Sequence, residues 1–252
     1  MPATSADPSD HALAVRAATE AGQLLVALRA ELELLRTWPG DVGDAGDLQA
    51  HHLIADLLRR ERPDDAVLSE EASDDLTRLD SERVWIVDPL DGTREYSERG
   101  RPDWAVHVAL AVNGVPTAGA VALPARSLTL ATEPPPAPPA SWDGPPRLVV
   151  SRSRPPRQAF VIRDALEGDL LPLGSAGAKA MAVVLGEADI YAHAGGQYEW
   201  DSCAPAAVAA ASGLHVSRLD GSPLRYNRRD PWLPDLLICR PELAEPVLAA
   251  LC

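Results

Sequence analysis

The feature that most constrains this chain is an uncharged run that ends abruptly in acids: Arg83-Val84-Trp85-Ile86-Val87-Asp88-Pro89-Leu90-Asp91-Gly92-Thr93-Arg94-Glu95-Tyr96. Val84, Trp85, Ile86 and Val87 are β-branched or aromatic, which predicts a strand buried on both faces. The proline after Asp88 pushes that residue toward extended geometry, so the strand reaches the first carboxylate. Asp88 and Asp91, with the Leu90 carbonyl between them, can then aim at one point. Such an oxygen-rich pocket suits a hard cation such as Mg²⁺, which binds one or two carboxylates alongside substrate phosphate. Gly92 permits a tight turn and brings backbone N–H groups toward an anion, and Thr93 offers a hydroxyl where a helix starts. A solvated Asp-Gly turn would account for Asp91 and Gly92, but not for Asp88, the hydroxyl and the uncharged strand.

The chain has 252 residues and is 46% hydrophobic, enough for one large domain or two intimate ones. Its net charge of -14 argues against binding a nucleic acid polymer or an anionic membrane, both of which need clustered Lys and Arg. Small anions stay compatible. Met1 to Pro8 lacks the basic start and apolar core of a signal peptide, and no apolar run is long enough to span a membrane. A cytoplasmic location is expected. Cys203, Cys239 and Cys252 show neither a disulfide framework nor zinc spacing and read as reduced thiols. Lys179 is the only lysine.

In order, a helix is predicted from Ser9, with Ser9 or Asp10 as N-cap and Leu13, Ala17, Ala21, Leu24 and Leu28 on one face. Residues 38–46 read as a turn-rich loop, after which Asp47 caps a second helix carrying Ala50, Leu53, Ile54, Leu57 and Leu58. His51 and His52, with no third ligand, read as surface or packing residues. Residues 66–71 form a short strand ending in Glu70 and Glu71, which alternation turns to opposite faces. Residues 104–112 read as a strand that turns at Asn113-Gly114 into a second, 115–123. His107 inside it is taken as a satisfied sheet histidine. After a further strand at 127–132, residues 133–146 are the most proline-rich stretch and divide an N-terminal α+β domain, 1–132, from a C-terminal α/β domain, 147–252. The second half alternates strands and helices. Gly174-Ser175-Ala176-Gly177-Ala178-Lys179 joins a strand to a helix; it is either an ordinary turn or a place where small residues and a lone lysine admit a phosphate. Glu199-Trp200-Asp201 opens an alanine-rich helix that ends at Gly213, where Asp201 can cap the helix and still present its carboxylate to a metal.

Ser69-Glu70-Glu71, Asp88-Pro89-Leu90-Asp91-Gly92-Thr93 and Trp200-Asp201 followed by Ala204-Pro205-Ala206, in this order, resemble the inositol monophosphatase superfamily of Mg²⁺-dependent, lithium-sensitive phosphatases. The resemblance runs from about Asp10 to the C-terminal strand. It implies a mixed α/β fold, a layered α/β/α/β/α sandwich. Arg94-Glu95-Tyr96, the stretch from Trp104, and Arg218-Leu219-Asp220-Gly221 look like the CysQ branch, whose members remove the 3′-phosphate of adenosine 3′,5′-bisphosphate in sulfate assimilation, some also accepting the sulfated form. Carried over, Glu70, Asp88 and the Leu90 carbonyl would hold one Mg²⁺, and Asp88, Asp91 and Asp201 another, for two or three ions per site. Thr93 backed by Asp47, with Glu70, would be catalytic. Gly92, Thr93, Arg94, Ser175, Lys179, Glu199 and Asp201 would face the substrate, a small phosphorylated nucleotide. The threonine-acid run usual before the second helix is here Ala45-Gly46-Asp47, so Asp47 is aligned by position alone. Cys203 and Pro205 alter the second motif without touching its acid.

The same metal chemistry would serve an inositol monophosphatase or a fructose 1,6-bisphosphatase. Haloacid-dehalogenase phosphatases space their two acids by one residue, whereas Asp88 and Asp91 are separated by two. A catalytically silent nucleotide-binding regulator is the reading from another class; it would have no need of Thr93 as a water activator. Oligomeric state, a homodimer included, stays open.

Overall fold

The structure is a computed structural model and describes residues 7–251. Helix α1, Pro8–Leu34, starts one turn earlier than its apolar pattern. Asp7 is the N-cap, accepting from the Ser9 N–H, while Asp10 accepts from the Asp7 N–H, so the two acids satisfy donors reciprocally. Leu13, Ala17 and Ala21 are buried as expected, joined by Leu25, while Leu24 and Leu28 are half-buried.

Residues 38–46 are not a loop. Helix α2, Pro39–Glu61, begins at the proline, which suits the first helical position because its missing N–H has no partner there anyway. Gly43 and Gly46 lie one turn apart on the buried face. A Cβ on Gly43 would sit 2.7 Å from Thr93 Cγ2, and one on Gly46 would sit 2.8 Å from Tyr96 Cε1. These glycines therefore serve close approach to the segment after Asp91, not turning. Asp47 accordingly lies inside the helix and is buried, so it is not a cap.

The first sheet runs β1-β2-β3-β4-β5, built from β1 (Ala66–Ser69), β2 (Arg83–Asp91), β3 (Ala105–Val112), β4 (Val115–Leu123) and β5 (Leu128–Ala131). β1 and β2 are parallel and the other pairs antiparallel. Glu70 and Glu71 fall just past β1, in a turn. The period of two sorts β2 between two cores: Trp85 and Val87 join α1 and α2, whereas Val84 and Ile86 join the helices of the second half. The β2 run is uncharged because both of its faces are covered. The short helix α3, Thr93–Ser97, follows β2.

The second sheet runs β7-β6-β8-β10-β9, from β6 (Arg147–Ser151), β7 (Asp169–Leu173), β8 (Ile190–Tyr198), β9 (His215–Ser217) and β10 (Trp232–Cys239). Helices α5 (Ala176–Val184) and α6 (Glu199–Ala211) lie between the sheets, and α4 (Arg157–Leu166) and α7 (Ala244–Leu251) cover the outer face. The layers are thus α/β/α/β/α. Residues 133–146 hold no helix or strand, yet one apolar cluster draws Leu68, Val84 and Ile86 from before them and Val149, Met181 and Val208 from after. Cys203 and Cys239 are buried free thiols, and Cys252 lies outside the described residues. No helix among the described residues is long and apolar enough to cross a membrane.

Candidate active site

The site is organised by an irregularity at the end of β2. In a regular strand, residues three apart point to opposite faces. Here Asp88 pairs with His107 and Asp91 with Ala105, so three steps on β2 match two on β3, which is a β-bulge. The bulge brings both carboxylates to one side. It also admits Pro89, which could not donate to a regular central ladder. Gly92 then turns the chain at φ +88°, a conformation that favours glycine, and α3 begins with Thr93.

Carboxylate oxygens of Asp88, Asp91 and Asp201 all lie within 4.8 Å of one another. The parallel pairing of Ser69 with Val87 sets Glu70 beside Asp88, and the Glu70 N–H donates to Val87 O at 3.2 Å. Glu70 is exposed and lies outside the tight group of three, but it shares their field. Partial desolvation and the charge of Asp201 push it up to about 7. Burial, then Glu70 and Asp91, holds Asp88 well above the usual carboxylate range, and burial with Asp91 raises Asp201 to about 6. This crowding of like charge is what a bound cation would relieve.

Asp47 and Thr93 form a second feature. Asp47 is raised to about 8 by burial and by Glu71 and Glu70, with the neighbouring Thr93 hydroxyl acting in the opposite direction. Asp47 Oδ1 has no hydrogen-bond partner among the described residues. Thr93 Oγ1 donates to the Leu90 carbonyl at 3.2 Å, so Leu90, Thr93 and Asp47 adjoin.

The other anticipated residues are placed differently. Asp91 receives the start of α5: Ser175 Oγ donates to Asp91 Oδ2 at 2.5 Å, the Gly177 N–H to the same oxygen at 2.6 Å, and the Ala176 N–H to Oδ1 at 3.1 Å. Ser175 is buried and also accepts from the Ala178 N–H. Lys179 is buried, with Nζ donating to the Gly174 and Ser175 carbonyls; burial lowers its pKa more than Asp91 and Glu95 raise it. Glu199 is buried and accepts the N–H groups of Asn227 and Arg228. Arg94 is exposed, 3.4 Å from Glu98. Asp201 accepts the Tyr198 N–H at 2.6 Å, an N-terminal capping contact, and keeps its place in the acid group.

His107 lies inside its strand as expected of a sheet histidine, but its partners, like those of two other residues, are not visible in the sequence. His107 is fully buried, with Nε2 3.3 Å from Asp91 Oδ2 and Nδ1 3.0 Å from the Trp200 carbonyl. Burial would lower His107, but Asp91 raises it overall, and His107, Lys179 and the Ser175 hydroxyl hold Asp91 low against its own burial. Gly177 lets α5 come this close, since a Cβ there would collide with His107 Nε2. Glu95 is buried and paired with Arg152 Nε at 2.6 Å, which fastens α3 to the loop after β6. Only the cross-strand register and the docking of α5 reveal these contacts. Finally, His193 on β8 has its pKa lowered by burial, against a hydrogen bond with the Gly196 carbonyl, and to a lesser extent by the charges of Lys179 and Arg154, which favours its neutral form.

The donor set fits a hard divalent ion. Each carboxylate oxygen offers about two lone pairs, and Asp91 Oδ1 accepts one hydrogen bond, Asp88 Oδ1 one and Asp201 Oδ2 one, which leaves capacity on all three residues.

The sequence matches the inositol monophosphatase family over residues 10–134 and 147–251. It is 55% identical over 240 residues to the 3′-phosphoadenosine 5′-phosphate phosphatase of Mycobacterium tuberculosis, covering 92% of this chain and 89% of that protein. It is 34% identical over 205 residues to the 3′(2′),5′-bisphosphate nucleotidase CysQ of Escherichia coli, covering 75% and 81%. Among solved structures, CysQ from Bacteroides thetaiotaomicron superposes with a TM-score of 0.78 at 27% identity over 92% of this chain and 97% of that one. With the layered fold and the acids at the β2 bulge, these matches establish that the chain belongs to the inositol monophosphatase family, an enzyme family of phosphatases.

Proposed function

We propose that the protein is a Mg²⁺-dependent phosphatase that removes the 3′-phosphate of adenosine 3′,5′-bisphosphate, and possesses the same reactivity toward its sulfated form, in cytoplasmic sulfate assimilation. The convergence of Asp88, Asp91 and Asp201 beside Asp47 and Thr93 carries the reaction class. The identity to mycobacterial 3′-phosphoadenosine 5′-phosphate phosphatase supports the substrate.

Glu70, Asp88, Asp91, Asp201 and the Leu90 carbonyl would hold two or three Mg²⁺ ions. The chemistry such ions would supply there is a more acidic water and an offset to the charge on the phosphoryl oxygens. The remaining work falls to the chain itself. The Thr93 hydroxyl orients the attacking water, and the Asp47 carboxylate, ionised once cations offset the acids around it, takes a proton through it. The Gly92 and Thr93 N–H groups face the phosphate at the turn. His107, Ser175 and the start of α5 fix the Asp91 carboxylate, so Ser175 acts as a positioning residue. The two halves, 1–132 and 147–252, act as one catalytic unit, with Asp201 supplied across the linker; a homodimer is compatible with this reading.

The test is a side-by-side rate comparison of adenosine 3′,5′-bisphosphate, inositol 1-phosphate and fructose 1,6-bisphosphate, with and without Mg²⁺. The nucleotide is expected to be hydrolysed fastest, with lithium suppressing turnover and Asp91→Asn abolishing it. Equal or faster turnover of either sugar phosphate would remove the nucleotide assignment, and tight binding without turnover would replace it with a regulator.

A further inference from the structure

The acid cluster deals with phosphate and has nothing in it for a nucleobase. On the residues that flank Asp201 is a group of aromatic rings, of which Trp200 is half-buried and packs against the core while the others are largely exposed. Tyr198 and Trp200 stack in parallel, with centroids 4.7 Å apart and planes 9° from each other. Both are tied to the reaction centre through the backbone. The Tyr198 N–H donates to Asp201 Oδ2, and the Trp200 carbonyl contacts His107, which in turn touches Asp91. Tyr198 is nevertheless 47% exposed.

Trp232, 46% exposed, is the direct cross-strand partner of Tyr198, and directly opposed residues in an antiparallel pair share a face. Gly196 has φ +88°, and a Cβ there would collide with the Trp232 indole. The glycine lets the ring lie against β8 next to Tyr198. Three rings thus share one edge of the site, and two of them keep large faces in solvent. Such rings usually find cover in a core or an interface when they are this large.

We infer that Tyr198, stacked on Trp200 and flanked by Trp232, is the platform on which the purine of the substrate stacks, so that it sets the preference for a nucleotide over a sugar phosphate. The inference rests on the nucleotide phosphatase reading. Stacking requires only a π-face and adds binding without altering the phosphoryl chemistry. Its loss therefore raises KM for the nucleotide and leaves kcat in place.

The experiment measures kcat and KM for adenosine 3′,5′-bisphosphate and for base-free methyl ribofuranoside 3,5-bisphosphate, in the wild type and in Tyr198→Leu, Tyr198→Phe and Trp232→Leu. The ratio of kcat/KM for the nucleotide over the base-free compound is expected to fall about 5- to 150-fold in Tyr198→Leu, the range that one base-aromatic stack spans. It should fall in the same direction in Trp232→Leu and be retained in Tyr198→Phe. An unchanged ratio in Tyr198→Leu overturns the inference, as does a Phe variant that loses as much as the Leu variant. Equal loss on both substrates overturns it too, by showing a structural role. The wild type is read first: no nucleotide hydrolysis there refutes the functional reading itself, whereas nucleotide hydrolysis with an unchanged ratio in the variants refutes only the platform.

Discussion

Removing the metal should make this protein less stable as pH rises, the reverse of ordinary acid denaturation. Asp47 is held at about 8 in the fold against an ordinary value of 3.8, so between those values the native state binds a proton that the unfolded chain has lost. Stability then falls by about 1.4 kcal/mol per pH unit for each group so shifted. From pH 5.5 to 7.5 Asp47 alone removes about 3 kcal/mol, or about 6–12 °C of Tm for a chain of this size. Asp88, raised by burial and by Glu70, acts in the same direction. His107, raised overall by Asp91, contributes stability below its unfolded value that is lost as pH climbs through its folded one, so it adds to the fall above about pH 6.5. Asp91 is lowered, and its contribution is lost only in acid, outside this window. The assay is thermal unfolding followed by circular dichroism at several pH values, with chelator and with saturating Mg²⁺. Mg²⁺ favours the ionised acids, so its stabilisation should grow with pH. Asp47→Asn should flatten the metal-free slope by about 1.4 kcal/mol per unit. A metal-free Tm that stays level or rises between pH 5.5 and 7.5 would refute the crowded-acid reasoning.

Three further outcomes follow from the same geometry. Asp47→Asn should lower kcat by about 10²- to 10⁴-fold with KM little changed, the usual span for loss of a proton acceptor; steady-state kinetics with unaltered kcat would dismiss that role. Gly177→Ala drives a methyl into His107 Nε2 and should cost about 1–3 kcal/mol by denaturant titration, with activity falling as the Asp91 contacts loosen. Full stability and activity in that variant would contradict the close approach of α5. Arg152→Ala leaves the buried Glu95 without its partner and should lower the urea midpoint, because the carboxylate is stranded; an unchanged midpoint would show that Glu95 is solvated.

Much of the site was legible because its acids stand where strong local signals end. The uncharged β2 run, the turn at Gly92 and the alanine-rich α6 are visible without tertiary information, and so are the carboxylates attached to them. Residues 38–46 were misread because glycine that permits a turn and glycine that permits close packing look alike in sequence. Only the position of α3 shows that Gly43 and Gly46 are of the second kind, and with them Asp47 moved from a cap to the middle of a buried face. His107 looked like any sheet histidine, since its partner is fixed by a bulge that no propensity announces. Ser175, Lys179 and Glu199 carry the polar groups expected of substrate contacts, but the fold already engages each of them. Glu95 and Tyr96, neighbours of the exposed Arg94, turn inward, Glu95 to Arg152 and the Tyr96 hydroxyl to the Leu25 carbonyl.

The most direct test of the central claim is ³¹P NMR of adenosine 3′,5′-bisphosphate incubated with the enzyme. Adenosine 5′-monophosphate and inorganic phosphate should appear in equal amounts, formed with Mg²⁺, stopped by chelator and absent with Asp91→Asn. Release of the 5′-phosphate, or turnover that persists in the chelated enzyme, would contradict it.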